Sequence, residues 1–295
     1  MGDLERMGEE GLIIERLNEH VGFFLQGARL LERGQSSFQR YEVWDTPQFG
    51  TLFRLDGCFM SSEADEFYYH ENVVHVPAMA HAGVRRALII GGGDGGAAKE
   101  LLKYASIEQI RLVELDACVV ELARRHLSGV HCGALDDPRV ELVIGDGFHH
   151  VTVEAAATGD AYDLIVLDLT DPGGPADALY REPFFEACSR LLSPGGVLSL
   201  HLGSPVFQPA QVRAVVDALR ATFAVVSPYF LYIPLYGSLW GLATASASLD
   251  PAACQPHNLD QRVRERGVDG LKYYNGDIHR AQFVLPNNLR RLLGT

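Results

Sequence analysis

The sequence predicts an α/β fold in two parts, and three observations carry that prediction. Past residue 85, short apolar runs alternate with amphipathic helical stretches, the pattern of a mostly parallel sheet covered on both faces. The first of those runs leads straight into the glycine-rich turn Gly91-Gly92-Gly93-Asp94-Gly95-Gly96. Ahead of them lie short β-rich runs broken by turn residues, which mark a small antiparallel unit.

In chain order, the N-terminal runs VGFFLQ, FQRYEVW, TLFRL and CFM fall between about Gly22 and Ser62. Thr46-Pro47 interrupts them, and the Asp56-Gly57 step suits a tight hairpin. From Phe67 to His81 the apolar residues switch to helical spacing, and the texture changes again at Arg85. Residues 1–84 are therefore expected to form a β unit with a linking helix, and 85–295 the main sheet domain. Its predicted strands are Ala87 to Ile90, Ile110 to Glu114, Val140 to Ile144, Leu164 to Leu167 and Val197 to His201. A closing hairpin, Val225 to Tyr232 and Leu239 to Ala245, brings the sheet to seven strands. Helices are expected from about Gly95 to Tyr104, Ala117 to Leu127, Gly147 to Ala157, Pro183 to Leu192 and Pro209 to Thr222.

Composition narrows the function classes. A formal charge of −13 argues against a nucleic-acid surface, which needs Lys and Arg to replace condensed counterions, and suits small cationic substrates. Five cysteines without a CxxC pair read as reduced thiols rather than as a disulfide framework or a zinc site. The acidic start MGDLERMGEE lacks the basic and apolar regions of a secretion signal. No apolar run approaches the roughly 20 residues of a membrane span. A cytoplasmic protein that meets neither membrane nor nucleic acid is the expectation.

Ligands of such sheets sit beyond the carboxyl ends of the strands. Glu114 closes the second strand about 20 residues after the glycine turn, where a carboxylate takes both hydroxyls of a ribose. Asp146, in Gly145-Asp146-Gly147, follows the third strand at the place expected for an adenine amino group. Taken singly, Asp146 also reads as a helix N-cap, and Asp94 as a turn-stabilising side chain. The joint pattern favours a nucleoside. A pyrophosphate would face Asp94 at close range, so a cationic sulfonium nucleoside suits the turn better than a dinucleotide.

Asp94 narrows the chemistry further. Methyltransferases of this sheet type hold the methionine amino group with an acid ahead of the glycines, and here that position is Ile89. A carboxylate at 94 instead holds a terminal ammonium and repels the carboxylate of intact S-adenosylmethionine, selecting the decarboxylated form. Asp168-Leu169-Thr170-Asp171-Pro172 follows the fourth strand and leads into a glycine loop. An attacking alkylamine, with a pKa of roughly 10.4, arrives protonated, so a carboxylate must bind the cation and help remove its proton. Asp168 is assigned that task, and Asp171 a second positive group.

These segments resemble those of the polyamine aminopropyltransferases, the spermidine synthase family, and the resemblance spans nearly the whole chain. It is carried by Leu55-Asp56-Gly57, Asp65 to Glu71, the Ile89 to Gly95 turn, Val113 to Asp116, Asp136 to Val140, Gly145-Asp146-Gly147, the 168 to 176 loop, Tyr273-Tyr274-Asn275 and Ile278-His279. The resemblance implies a Rossmann-like, class I methyltransferase-like fold. It implies that Gln39, Glu114, Asp146, Gly147 and Pro175 hold the thioadenosine part of decarboxylated S-adenosylmethionine. It further implies that His70, Asp94, Asp168, Asp171 and Tyr236 surround the amines, with Tyr69 assisting Asp168 as proton acceptor. No permanently bound cofactor and no metal is called for, and a homodimer or homotetramer built through the N-terminal β unit, which also gates the site, is expected.

Departures from the family pattern gather at Met60, Leu169, His201, Gly203, Val206 and Leu235, all expected to face the acceptor. Putrescine is the default acceptor. Alternatives are another amine acceptor, a methyltransferase using intact S-adenosylmethionine, and a non-catalytic polyamine or nucleoside binder. The histidines of HENVVH stand five apart, which excludes the HExxH zinc motif, and His149-His150 reads as a solvated helical pair.

Overall fold

A computed structural model describes residues 11–172, 174 and 176–295. Its N-terminal part is a hairpin, β1 (Ile13–Arg16) with β2 (Gly22–Leu25), beside a four-stranded antiparallel sheet of β3 (Arg29–Gln35), β4 (Arg40–Thr46), β5 (Gly50–Leu55) and β6 (Cys58–Ser62). The Asp56-Gly57 step makes the expected tight turn. Both residues have positive φ, and Leu55 pairs with Cys58 across them. β1 and β3 were not anticipated. β1 has only four residues, and β3, Arg-Leu-Leu-Glu-Arg-Gly-Gln, has no regular apolar alternation and no fully buried residue.

Helix α1 (Glu66–Ala80) follows and is buried on nearly every side. A helix enclosed all round belongs to a core rather than to a surface. Its carbonyls receive Ser199 Oγ at Val73 and the Tyr229 hydroxyl at Asn72, so it lies against the main sheet. Glu71 points the other way. Its carboxylate accepts the backbone N–H groups of Lys272, Tyr273 and Tyr274, joining two segments some 200 residues apart.

The main sheet contains β7 (Arg86–Gly91), β8 (Gln109–Glu114), β9 (Val140–Ile144), β10 (Tyr162–Asp168), β11 (Leu192–Gly203), β12 (Val225–Ile233) and β13 (Ser238–Ser246). Their spatial order is β12-β13-β11-β10-β7-β8-β9. The five strands from β7 to β11 pair in parallel, while β13 and β12 close the sheet antiparallel. All seven expected strands are present, with β11 longer at both ends. The inner parallel strands β7, β10 and β11 are largely buried on both faces, as their apolar runs require, whereas the edge strand β9 has no fully buried residue. Strand order reverses at the β7/β10 junction, where Leu164 pairs with Ala87 and Asp168 with Gly91.

Helices α2 (Gly96–Leu102) and α3 (Ala117–His126) follow β7 and β8. The expected helix from Gly147 to Ala157 is interrupted. A π-helical turn, His150–Glu154, replaces its middle. That turn carries His150 inside, where Nδ1 lies 2.7 Å from Glu154, so only His149 of the expected solvated pair is exposed. Three C-terminal helices, Pro256–Glu265, Gly276–Gln282 and Asn287–Leu293, were not anticipated. Among the described residues no helix is long and apolar enough to cross a membrane.

Candidate active site

The carboxyl ends of β7, β8 and β10 open on one cavity of about 760 Å³, located where strand order reverses. The sheet contributes its floor. The N-terminal unit supplies the opposite wall through Glu15, Gln39, Cys58 and Met60.

The glycine turn is fixed to the end of β10. Gly91 has φ +78°, and a Cβ there would sit 2.2 Å from the Asp168 carbonyl oxygen. Only glycine combines that backbone with that approach. Gly92 N–H then donates to the same carbonyl at 2.8 Å, which brings the Asp168 carboxylate under the turn.

On one side of the turn the polar groups are already partnered. Glu114 accepts Gly93 N–H at 3.1 Å on one oxygen and Asp116 N–H at 2.9 Å on the other. Burial pushes its carboxyl up to about 7 against the pull of those two bonds. Asp116 caps α3 through Cys118 N–H with one oxygen and receives Ser36 Oγ at 2.5 Å and Gln39 Nε2 at 3.2 Å with the other. Gln39 is thereby carried from the N-terminal unit to the cavity edge. Asp146 does act as an N-cap, accepting Phe148 N–H at 2.8 Å, and still lines the cavity. Gly147 is close-packed, because a Cβ there would meet Ile90 at 2.4 Å.

On the other side stands a charged cluster around His70. Nδ1 lies 2.9 Å from Glu66, whose second oxygen takes Lys99 Nζ at 2.6 Å. Nε2 faces Asp94 at 3.6 Å and Asp168 at 3.9 Å. Burial alone would lower the imidazole, yet Asp94, Glu66 and Asp168 together carry it up to about 9, so it is a cation at neutral pH. The ring lies so close to the start of α2 that a Cβ at Gly96 would fall 2.2 Å from it. Burial raises Asp168 to about 6, with His70 pulling it down and Asp94 pushing it up. One imidazolium between two carboxylates leaves room for one further positive charge.

Beyond this cluster the cavity is lined by Tyr69, Tyr236, Trp240, His201 and Asp171. Asp168 Oδ2 and the Tyr69 hydroxyl are buried without a hydrogen-bond partner. The Tyr236 hydroxyl donates to the Met60 carbonyl at 2.8 Å, and its ring leans on Trp240 with centroids 4.6 Å apart. Asp171 accepts Gln208 Nε2 at 3.2 Å.

Every described residue expected at the site lines this one cavity: Gln39, Tyr69, His70, Asp94, Glu114, Asp146, Gly147, Asp168, Asp171 and Tyr236. Pro175 lies outside the described residues. Of the six departures, Met60, Leu169 and His201 face the cavity. The other three do not. Val206 is 60% exposed, Leu235 is buried in the small cluster with Ile13 and Phe59, and Gly203 turns the chain at φ +89° beside Gln208. Sequence reasoning also passed over Glu15 and Asp116. The Glu of IIER gave no sign of burial, whereas Asp116 could have been read as an N-cap ahead of a helical run.

Sheet order, glycine turn and an acid-lined cavity at the reversal point define a Rossmann-like, class I methyltransferase-like enzyme fold. The chain belongs to the spermine/spermidine synthase family: the family model for the spermine/spermidine synthase domain matches residues 66–253. A polyamine aminopropyltransferase of Nitrosomonas europaea is 46% identical over 287 residues, covering 96% of this chain and 86% of that one. Polyamine aminopropyltransferase 1 of Pseudomonas aeruginosa is 38% identical, covering 90% of this chain and 91% of that one. Among solved structures, a spermidine synthase in complex with the transition-state analogue AdoDATO superimposes with TM-score 0.88 at 35% identity, covering 96% of this chain and 94% of that one. The spermidine synthase of Thermotoga maritima gives TM-score 0.86 at 33% identity, with 96% and 95% covered. As a member, the chain is a transferase enzyme of polyamine synthesis.

Proposed function

We propose that the chain transfers the aminopropyl group of decarboxylated S-adenosylmethionine to putrescine, giving spermidine and methylthioadenosine. The observation that carries this reading is a single cavity with two unlike ends, a partnered acidic recess and an unpartnered acidic channel, meeting at Asp94 and Asp168. The solved relative bound to AdoDATO supports it. Glu114, Asp146, Gly147 and Gln39 take the thioadenosine part, as does Pro175 by resemblance. Asp94 holds the ammonium of the aminopropyl arm, and His70, itself cationic, holds Asp94 and Asp168 in position.

In the reaction, Asp168 binds the acceptor ammonium and accepts its proton, with the Tyr69 hydroxyl alongside. The freed lone pair attacks the aminopropyl carbon next to sulfur. The carbon–sulfur bond breaks toward sulfur, and the sulfonium leaves as a neutral thioether. Positioning supplies most of the rate, because both reactants are cations that must be brought together against their repulsion. Tyr236, Trp240 and Asp171 line the remainder of the acceptor channel. His70, Asp94 and Asp168 present ligand atoms within 4.8 Å of one another, and the scheme uses the two carboxylates to hold substrate ammonium groups.

Incubation with decarboxylated donor and a panel of diamines, triamines and agmatine, followed by assay of methylthioadenosine, tests the proposal. Product with putrescine is expected. No product with any amine would leave a binder, and tighter binding of intact S-adenosylmethionine than of its decarboxylated form would leave a methyltransferase. Met60, Leu169 and His201, which face the channel, favour a second reading in which another diamine is turned over faster. We place the enzyme in the cytoplasm, as a homodimer or homotetramer joined through residues 1–84. Ile14, Phe24 and Leu31, exposed on that unit and outside the cavity, support the assembly, and light scattering checks it.

A further inference from the structure

Across the His70 ring from Asp94 and Asp168 stands a pair of charges that the scheme above leaves unused. Glu66 and Lys99 do not line the cavity. Glu66 Oε2 meets His70 Nδ1 and Oε1 meets Lys99 Nζ, so both oxygens of this buried residue are committed. Asp65, beside it in sequence, accepts Ser62 Oγ at 2.6 Å on one oxygen and Leu235 N–H at 2.8 Å on the other, which leaves His70 to Glu66. Lys99 is held in turn by Glu100 at 3.1 Å.

Those contacts decide the state of the ring. The charged groups facing it are Glu66 on its own helix, Asp94 in the glycine turn and Asp168 at the end of β10, with Lys99 of α2 behind Glu66. A carboxylate only accepts, so Glu66 at Nδ1 and the two aspartates at Nε2 leave both ring nitrogens carrying hydrogen. Its place is unfavourable for a cation, because the ring packs against Gly96 at the start of α2, where the helix dipole is positive. Of the three anions that offset this, two are claimed during the reaction: Asp94 by the aminopropyl ammonium, Asp168 by the acceptor and then by its proton. Glu66 is claimed by no substrate. Burial alone would neutralise it, but His70 and Lys99 outweigh burial and hold its carboxyl below the usual range.

We propose that Glu66 is a positioning residue for the transfer: anchored by Lys99, it keeps the His70 ring protonated and turned toward Asp94 and Asp168, and the ring keeps Asp168 ionised for the acceptor. The inference rests on the reaction proposed above. His70 keeps both its protons throughout, and the proton lost by the acceptor goes to Asp168. An amide at position 66 removes the anion at Nδ1, so the buried ring gives up a proton at neutral pH. Asp168 then faces no cation and stays protonated to higher pH.

Two readouts test this on the intact chain and on Glu66→Gln: nitrogen-15 NMR of the His70 ring, and the pH profile of kcat for methylthioadenosine release. The native ring should show the imidazolium signature at neutral pH, and the Glu66→Gln ring should be neutral there. The acid limb of the variant's profile should move up by about one pH unit, the worth of one nearby charge, with kcat partly recovered in alkaline buffer and methylthioadenosine affinity unchanged. His70→Gln should move the limb equally, and adding Glu66→Gln to it should move it no further, because Glu66 acts through the ring. That pair of measurements reads the proposal even where Glu66→Gln alone does not fold. A Glu66→Gln ring that stays charged with the limb in place, a limb unmoved in His70→Gln, or a second displacement in the double variant overturns it. Native chain whose ring is charged through Glu66 but which releases no methylthioadenosine with any amine overturns the reaction and leaves the pairing standing.

Discussion

The two ends of the cavity are both acidic, yet they are built differently. At the donor end, Glu114, Asp116 and Gln39 are bonded to one another or to backbone N–H groups, so the recess keeps its shape without a ligand. At the acceptor end, Asp168 Oδ2, Glu15 Oε2 and His201 Nδ1 are buried outside hydrogen-bond geometry, as are two donors, the Tyr69 hydroxyl beside Asp168 and Trp240 Nε1. The first arrangement suits the two ribose hydroxyls of the proposed thioadenosine part. The second holds electrostatic stress that a cation relieves. Burial alone does not distinguish them; the state of each lone pair does.

That contrast can be broken most decisively at Asp168. Asp168→Asn should lower turnover by ~10²–10⁴, the usual worth of a positioned acid or base, while calorimetry shows methylthioadenosine binding nearly unchanged. Comparable losses in both readouts would mean that the two ends are not separable. Next in size, Glu114→Gln should weaken methylthioadenosine by about 1.5–3 kcal/mol and leave putrescine binding untouched.

A pH series sharpens the same distinction. Glu114 and Glu15 stand at about 7 against ordinary values of 4.5, and Asp168 at about 6 against 3.8. A group raised on folding gives stability that is full below its unfolded value and is lost as pH rises through its folded value. The unliganded chain should thus lose this contribution between about pH 4 and 7, and that of His70 between 6.5 and about 9. Urea titrations should place Glu114→Gln near native at low pH and gain on native by pH 8; a constant gap would show that Glu114 is not strained by ionisation. The smallest effect belongs to Ser36→Ala. It removes one bond to Asp116 and should cost methylthioadenosine binding about 1 kcal/mol, measured as a Kd ratio.

How much of this was legible in the sequence follows the same division. The parallel strands announce themselves as apolar runs, and an acid at or just past the carboxyl end of such a run falls at the cleft edge of the sheet, so the place of Glu114, Asp146 and Asp168 at the cavity was readable. Asp94 was readable from its place inside the turn. Glu15 was not: in a four-residue strand its neighbours give no period, and it is buried only because β1 lies over β6 and closes the far wall. His201 was visible as a departure from the family pattern, but its tautomer depends on Tyr180 and Leu169, brought to it by the fold. Gly203, Val206 and Leu235 misled because linear proximity to His201 or Tyr236 says nothing of which side of a turn a residue takes.

The three N–H groups that close on Glu71 have a consequence for how the enzyme can be handled. Glu71 directly follows Tyr69 and His70 on one helix, so a segment near the carboxyl terminus is bolted to the element that carries the reaction centre. Truncation before Lys272 would leave the buried Glu71 side chain without its three N–H partners and loosen that helix from behind.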